Sequence, residues 1–347
     1  MFSRVGRVNL IKQPINIEKS PAPVMVYYRL IALWAICEAF GGGILHAFKV
    51  PFTGMFINSM AVLCISLIGF HYRKPRAIFK ATIIVCIFKL MLSPHSPPTA
   101  YIAVMFQGFL GQLLFTGTSQ FTIRTIILAV LSLVESSIQR LLVLVIVYGN
   151  SFWEAVDTYL SRLFEKEVDY IELLAVLYIS VHALAGIIAG WYAAKLARIR
   201  MDQSLLLPPY LGGSDHPVMP RRKKRIKLLF YIIWAFVIFL YIDSLARPGS
   251  SAVTLHRSVM IMVRACAIIL SWWLFLSPLI KRLLENIMEN QQRKNIHVVQ
   301  AVNSLLPEVL YIFRESWKRS SGRFPAKAAN FFKIVVTNVL YQKHPRS

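Results

Sequence analysis

Acidic residues are scarce in this chain. Its 347 residues hold 16 Asp+Glu against 39 Lys+Arg, a formal net charge of +23. Charged residues of both signs make up only 16%, where an average globular chain carries about 25%. A soluble domain needs more ionic surface than this, so an ordinary soluble enzyme is excluded. Cysteine is also scarce. Cys37, Cys64, Cys86 and Cys266 lie far apart inside apolar runs, with no CxxC pair. That excludes a disulfide scaffold and a zinc motif, and the four read as small buried hydrophobes. Catalytic signatures are missing as well: no GxxxxGK[ST], HExxH, GxSxG or kinase motif occurs. The chain is not expected to bind ATP through a P-loop, to need a cofactor or metal, or to be an enzyme. Ser66 and Ser180 have no evident His/Asp constellation. His182, the nearest candidate base, reads as a packing or hydrogen-bonding residue of a helical bundle.

What is abundant is apolar. Hydrophobic residues reach 56% and mean hydropathy is +0.55. With so little polar surface to cover that mass, lipid is the natural solvent. The fold class expected is all-α, a polytopic transmembrane helical bundle. Eight segments approach the ~20 apolar residues a spanning helix needs. They are Tyr27–Phe48, Pro51–Phe70, Ala77–Ser93, Thr99–Gly117, Phe121–Tyr148, Tyr170–Ala194, Leu228–Leu245 and Ser258–Ile280. Residues 1–26 are polar and basic, without the apolar core of a signal peptide.

Basic residues give this count an orientation, because Lys and Arg are retained on the cytoplasmic side. They crowd into the N-terminus, into Arg73, Lys74, Arg76 and Lys80, into 195–227 with its Arg221-Arg222-Lys223-Lys224-Arg225 run, and into the tail after Lys281. With eight spans all of these share one side. The opposite side receives the short loop near Lys49, the Ser93–Pro98 turn, a mainly acidic loop with Glu154, Asp157, Glu165, Glu167 and Asp169, and, against the trend, Arg247 and Arg257. The expectation is an integral inner (cytoplasmic) membrane protein, multi-pass, with both termini cytoplasmic. The charge then serves topology and attraction to anionic lipid. Nucleic acid is not an expected partner, since the basic run leads straight into an apolar segment.

The chain divides into a cytoplasmic segment 1–26, a six-span bundle 27–194, a basic linker 195–227, a two-span hairpin 228–280 and a tail 281–347. Small residues repeat every four positions at Ala35/Ala39/Gly43, Ala185/Ala189/Ala193 and Gly186/Gly190/Ala194. Such stripes either pack the bundle internally or dock a membrane partner. In the tail, Val298, Val302, Leu305, Val309 and Ile312 form an apolar stripe, with Gln300, Asn303 and Glu308 off it. A second amphipathic piece carries Phe331, Ile334, Val335 and Val339. These faces suit a lipid surface or a partner's groove.

Ionisable groups in spans are expensive in lipid and mark cavities or structural pairs. Glu38, Lys89, Glu135, Arg140, Asp243 and Arg264 are such groups, Asp243 and Arg264 reading as an ion pair. Lys89 and Arg140 fall in outer halves of their helices, and His46, Asn58 and Gln107 add hydrogen-bonding groups. Together they either form an outward polar pocket or tie the helices to one another.

The stretches EAFGGGILHAFKVPFTGMFINSM and KLMLSPHSPPTAYIAVMFQGFLGQLLF, with Pro51-Phe52 opening the second helix, resemble the substrate-binding S components of energy-coupling factor transporters. The resemblance covers roughly the first 195 of 347 residues. It implies a six-helix binder of a small vitamin-like micronutrient. Pocket candidates on this reading are His46, Asn58, Lys89, His95, Gln107 and Arg140, with Ala35, Ala39 and Gly43 as the face that docks a transmembrane T component. Leu305–Arg323 looks like a coupling helix at the end of a T component, although Ser320-Ser321-Gly322 stands where that family has a small-Arg-Gly motif. Arg314, Lys318, Arg319 and Arg323 would then meet a separate ATPase. The alternative is a membrane scaffold whose basic tail recruits cytoplasmic partners or anionic lipid.

Overall fold

A computed structural model describes residues 22–41, 53–93, 96, 98–117, 119–164, 170–210 and 295–342, with isolated positions between 263 and 294. The described residues are helical and include no strand. The expected span 228–245, all but isolated positions of 258–280, the Asp243–Arg264 pair, the basic run at 221–225, Gly43, His46, Pro51-Phe52 and His95 lie outside them.

The elements are α1 (Ala22–Ile36, continuing as a π-helical turn Cys37–Gly41), α2 (Thr53–His71), α3 (Ala77–Leu92) and α4 (Pro98–Leu114). They continue with α5 (Phe121–Tyr148), α6 (Asn150–Phe164), α7 (Tyr170–Ala197), a 3-10 turn (Gln203–Leu205), α8 (Ile296–Arg319) and α9 (Phe324–Tyr341). Four of them, α2, α5, α7 and α8, are long and apolar enough to cross a membrane, as a multi-pass membrane protein requires. The acidic stretch after α5, expected as a loop, holds the amphipathic helix α6.

The chain forms two compact units. One comprises 1–134, 183–215 and 284–347, and the other 135–182 and 216–283. The tail therefore groups with the first helices, not apart from them. The cause is α1, the hub of the first unit, which packs against α2, α3, α8 and α9. Every residue from Arg29 to Ala39 is buried. The tail stripe, which suited lipid or a partner, is covered within the chain. Val302, Leu305, Val309 and Ile312 join one core with Leu30, Leu33 and Trp34 of α1, and Phe331, Ile334, Val335 and Val339 of α9 join the same core. Glu308, read as off the stripe, is also buried. It sits one residue before Val309 at the stripe's margin and faces Arg29, whose Nη2 lies 2.6 Å from its carboxylate.

Small residues set the closest crossings. A Cβ at Gly186 or Gly190 would lie 2.7 or 2.6 Å from backbone atoms of Val130 and Ile126 on α5. That stripe thus packs α7 onto α5 within the first unit, where small residues let backbones approach. Gly108 of α4 faces Thr82 of α3 so closely that a Cβ would overlap the Thr82 hydroxyl, which already donates to Ile78 O at 2.8 Å. Gly108→Ala is expected to destabilise the bundle by about 1–3 kcal/mol through overpacking. A denaturation titration checks this, and restored stability in Gly108→Ala/Thr82→Ala would identify the clash as the cause.

Candidate functional site

The polar groups of α1–α4 collect toward one end of the first unit. Glu38 ends α1, Asn58 lies near the start of α2, Lys89 near the end of α3, and Gln107 midway along α4. Because successive helices alternate in direction, Glu38, Asn58 and Lys89 stand toward the same end, and Gln107 lies nearer the middle of the bundle. Glu38 lies in the π-helical turn, a local widening of the helix found often at functional positions. Its Oε2 accepts from Lys89 Nζ at 2.7 Å, with side chains 3% and 7% exposed. Gln107 Nε2 donates to Asn58 Oδ1 at 3.0 Å. Gln107 is fully buried, and its Oε1 has no hydrogen-bond partner among the described residues; the same holds for Trp34 Nε1, one turn before Glu38. A buried acceptor and a buried donor left open in this way cost about 1–3 kcal/mol each until something pairs with them.

Three thiols line the same interior. Cys37 precedes Glu38, Cys64 lies on α2, and Cys86 stands one turn before Lys89; all three are buried. Among the described residues no group of three His, Cys, Asp or Glu side chains is placed to hold a metal. The chemistry available is therefore neutral hydrogen bonding around a compensated charge pair. Lys89 carries Glu38 as its counter-ion and offers no free positive charge to an anionic solute.

Other expected residues fall elsewhere. Arg140 is exposed and belongs to the second unit. Glu135, in that unit too, accepts from Gln139 at 3.4 Å. His182 Nδ1 contacts Tyr178 O at 2.9 Å on its own helix, a packing role. Ala35 and Ala39 are buried, so the face assigned to a T component is filled by the chain's own helices.

At the opposite end, α8 and α9 grip the segment after α7. Asn338 Oδ1 accepts from Leu207 N at 2.8 Å while its Nδ2 donates to Leu205 O at 2.9 Å. Gln342 Nε2 donates to Pro208 O at 2.9 Å. Arg319 is spent here, donating to Ser204 O and Leu206 O at 2.7 and 2.9 Å. Ser204 in turn donates its N–H and hydroxyl to Asp202 and holds that carboxyl below the usual carboxylate range. Lys318 pairs with Glu315 at 2.8 Å. Arg314, Lys318 and Arg323 stay exposed, grouped near the α8–α9 turn. Sequence reasoning missed Arg29, Asn338 and Gln342. A signal existed for Arg29, a lone cation two residues into the first apolar run, where an acidic partner is required. Asn338 stands on the apolar side of an amphipathic helix, the place where a polar residue signals a specific bond.

Comparison with known protein families, curated proteins and solved structures found no match.

Proposed function

We propose that the chain is a membrane subunit that binds a small water-soluble micronutrient and works with a separate ATPase, as S components of energy-coupling factor importers do. The observation that carries this reading is the burial of two polar pairs, Glu38–Lys89 and Asn58–Gln107, which draw on four successive helices of an apolar bundle. Polar groups are retained in such surroundings at a cost, and function is the usual return. The basic residues Arg73, Lys74 and Arg76 lie at the other end of α2 and α3, which orients the cluster away from the cytoplasm. A solute held there would pair with Gln107 Oε1 and the Asn58 amide. Since Lys89 is compensated by Glu38, a neutral or zwitterionic solute fits better than a carboxylate or phosphate. Arg314, Lys318 and Arg323, exposed on the cytoplasmic side in this orientation, would face an acidic surface of the ATPase.

The test is a thermal-shift and equilibrium-binding screen of vitamin-class solutes on the purified full-length chain. Gln107→Met keeps the side chain's length and removes the amide, donor and acceptor alike. It is expected to weaken binding about tenfold or more while the helical signal is kept, because an unpaired hydrogen-bonding site discriminates strongly. Unchanged affinity would remove the cluster from the binding site. Absence of any solute, together with an ATPase-free preparation, would favour the scaffold reading.

A further inference from the structure

A groove of about 320 Å3 opens on the side of the first unit. Met60 and Leu63 of α2 form one wall, Ala185, Ala189 and Ala193 of α7 the other, and Phe332 of α9 contributes to the lining. Phe56 and Ile188, also lining it, are 51% and 67% exposed. Both walls are helices long and apolar enough to cross a membrane, so the groove lies at hydrocarbon depth. Its two hydroxyls are already engaged: Ser59 Oγ donates to Met55 O at 2.8 Å and Tyr192 OH to Ala329 O at 3.1 Å. The lining therefore offers nothing to hold a polar ligand and suits a hydrocarbon chain.

The end of the groove near Ala193 has a different character. Trp191 is half exposed, and Lys195 Nζ lies 5.3 Å from its ring centroid. An exposed Trp and a Lys at the end of a spanning helix mark the headgroup level. Lys333, exposed beside Phe332, adds a second cation, with Asp202 as its acidic neighbour. Lys195 follows Ala193 by two residues and Lys333 follows Phe332, so cations stand near one end of the apolar groove, as an anionic phospholipid would require. We infer that the groove between α2, α7 and α9 is a specific site for one acyl chain of an anionic phospholipid, whose headgroup meets Lys195. This is separate from the solute cluster and does not depend on the transport reading.

The experiment uses the full-length chain in phosphatidylcholine vesicles doped with phosphatidylglycerol carrying a photoactivatable acyl chain. Labelled positions are mapped by peptide mass spectrometry. Exposed Ile123 and Ile127 of α5 report ordinary surrounding lipid. The expected result is label concentrated at Met60, Leu63 and 185–193, with a roughly fivefold preference over phosphatidylcholine carrying the same chain, the worth of about one lysine near an anionic headgroup. Ala189→Trp should reduce groove label to the level at Ile123, and Lys195→Gln should abolish the headgroup preference. Equal labelling of groove and α5 in the wild-type chain would overturn the proposal, as would absence of label at Met60 and Leu63. Strong groove label with no headgroup preference would overturn the anionic assignment. The wild-type labelling pattern decides even if Ala189→Trp fails to fold.

Discussion

Replacing Lys89 by methionine will cost about 3–5 kcal/mol of stability, because it strands the Glu38 carboxylate in a dry interior. Glu38→Met will cost a similar amount by stranding the ammonium. The double replacement will recover most of the loss, since two apolar side chains of similar volume suit the surrounding Cys64 and Cys86. The reasoning rests on the 2.7 Å contact and the near-complete burial of both partners. An exposed pair at the same distance would be worth about 0–1 kcal/mol. A double-mutant cycle in denaturant gives the coupling energy directly. Strictly additive losses would show that the two groups do not depend on one another. The cycle also separates structure from binding. A stable double variant that keeps solute affinity would make the pair a strut, and one that loses it would place the pair within reach of the solute.

The helices were largely legible from apolar runs, because a spanning segment must satisfy its own backbone. Phe121–Tyr148 has the same limits in both readings, and α2, α3, α4 and α7 differ by a few residues. α6 was not legible, because Glu154 and Asp157 point to a solvated loop, whereas Trp153, Val156 and Leu160 recur at helical spacing and outweigh them. Glu38, Asn58, Lys89 and Gln107 were legible as costly residues. Their pairing was not, since Glu38–Lys89 and Asn58–Gln107 join positions 51 and 49 residues apart, and only helix register decides such partners. Arg140 looked equivalent to Lys89 by depth, but depth says nothing of which face a residue takes, and it is exposed. The tail shows the same limit. An amphipathic period tells which side is buried, not what buries it, and here α1 does.

That covering helix leads to the second large effect. Arg29→Ala will loosen the α8–α9 hairpin, at a cost of about 3–5 kcal/mol for the stranded Glu308. The guanidinium makes two contacts to the tail, 2.6 Å to Glu308 and 2.6 Å to the Gln342 carbonyl. One side chain thus fastens both tail helices to α1. The reversed pair, Arg29→Glu/Glu308→Arg, should recover only part of the loss, because it restores the ion pair but leaves the Gln342 carbonyl without its donor. Limited trypsin digestion reads this locally, since Lys318, Arg319 and Arg323 flank the α8–α9 turn and cleavage there follows hairpin opening. Faster cleavage in Arg29→Ala, partly slowed in the reversed pair, is the expected order; identical rates in all three chains would show that the ion pair does not hold the hairpin. The same helix carries Glu38 about 13 Å further along, at 1.5 Å per residue. On the importer reading, solute at the Glu38 end and a partner at the hairpin act on one helix, buried from Arg29 to Ala39. Solute should then slow hairpin cleavage in the wild-type chain and lose that effect in Arg29→Ala, where α1 and the tail no longer share a fixed contact. Protection that survives the substitution would place the coupling route outside α1.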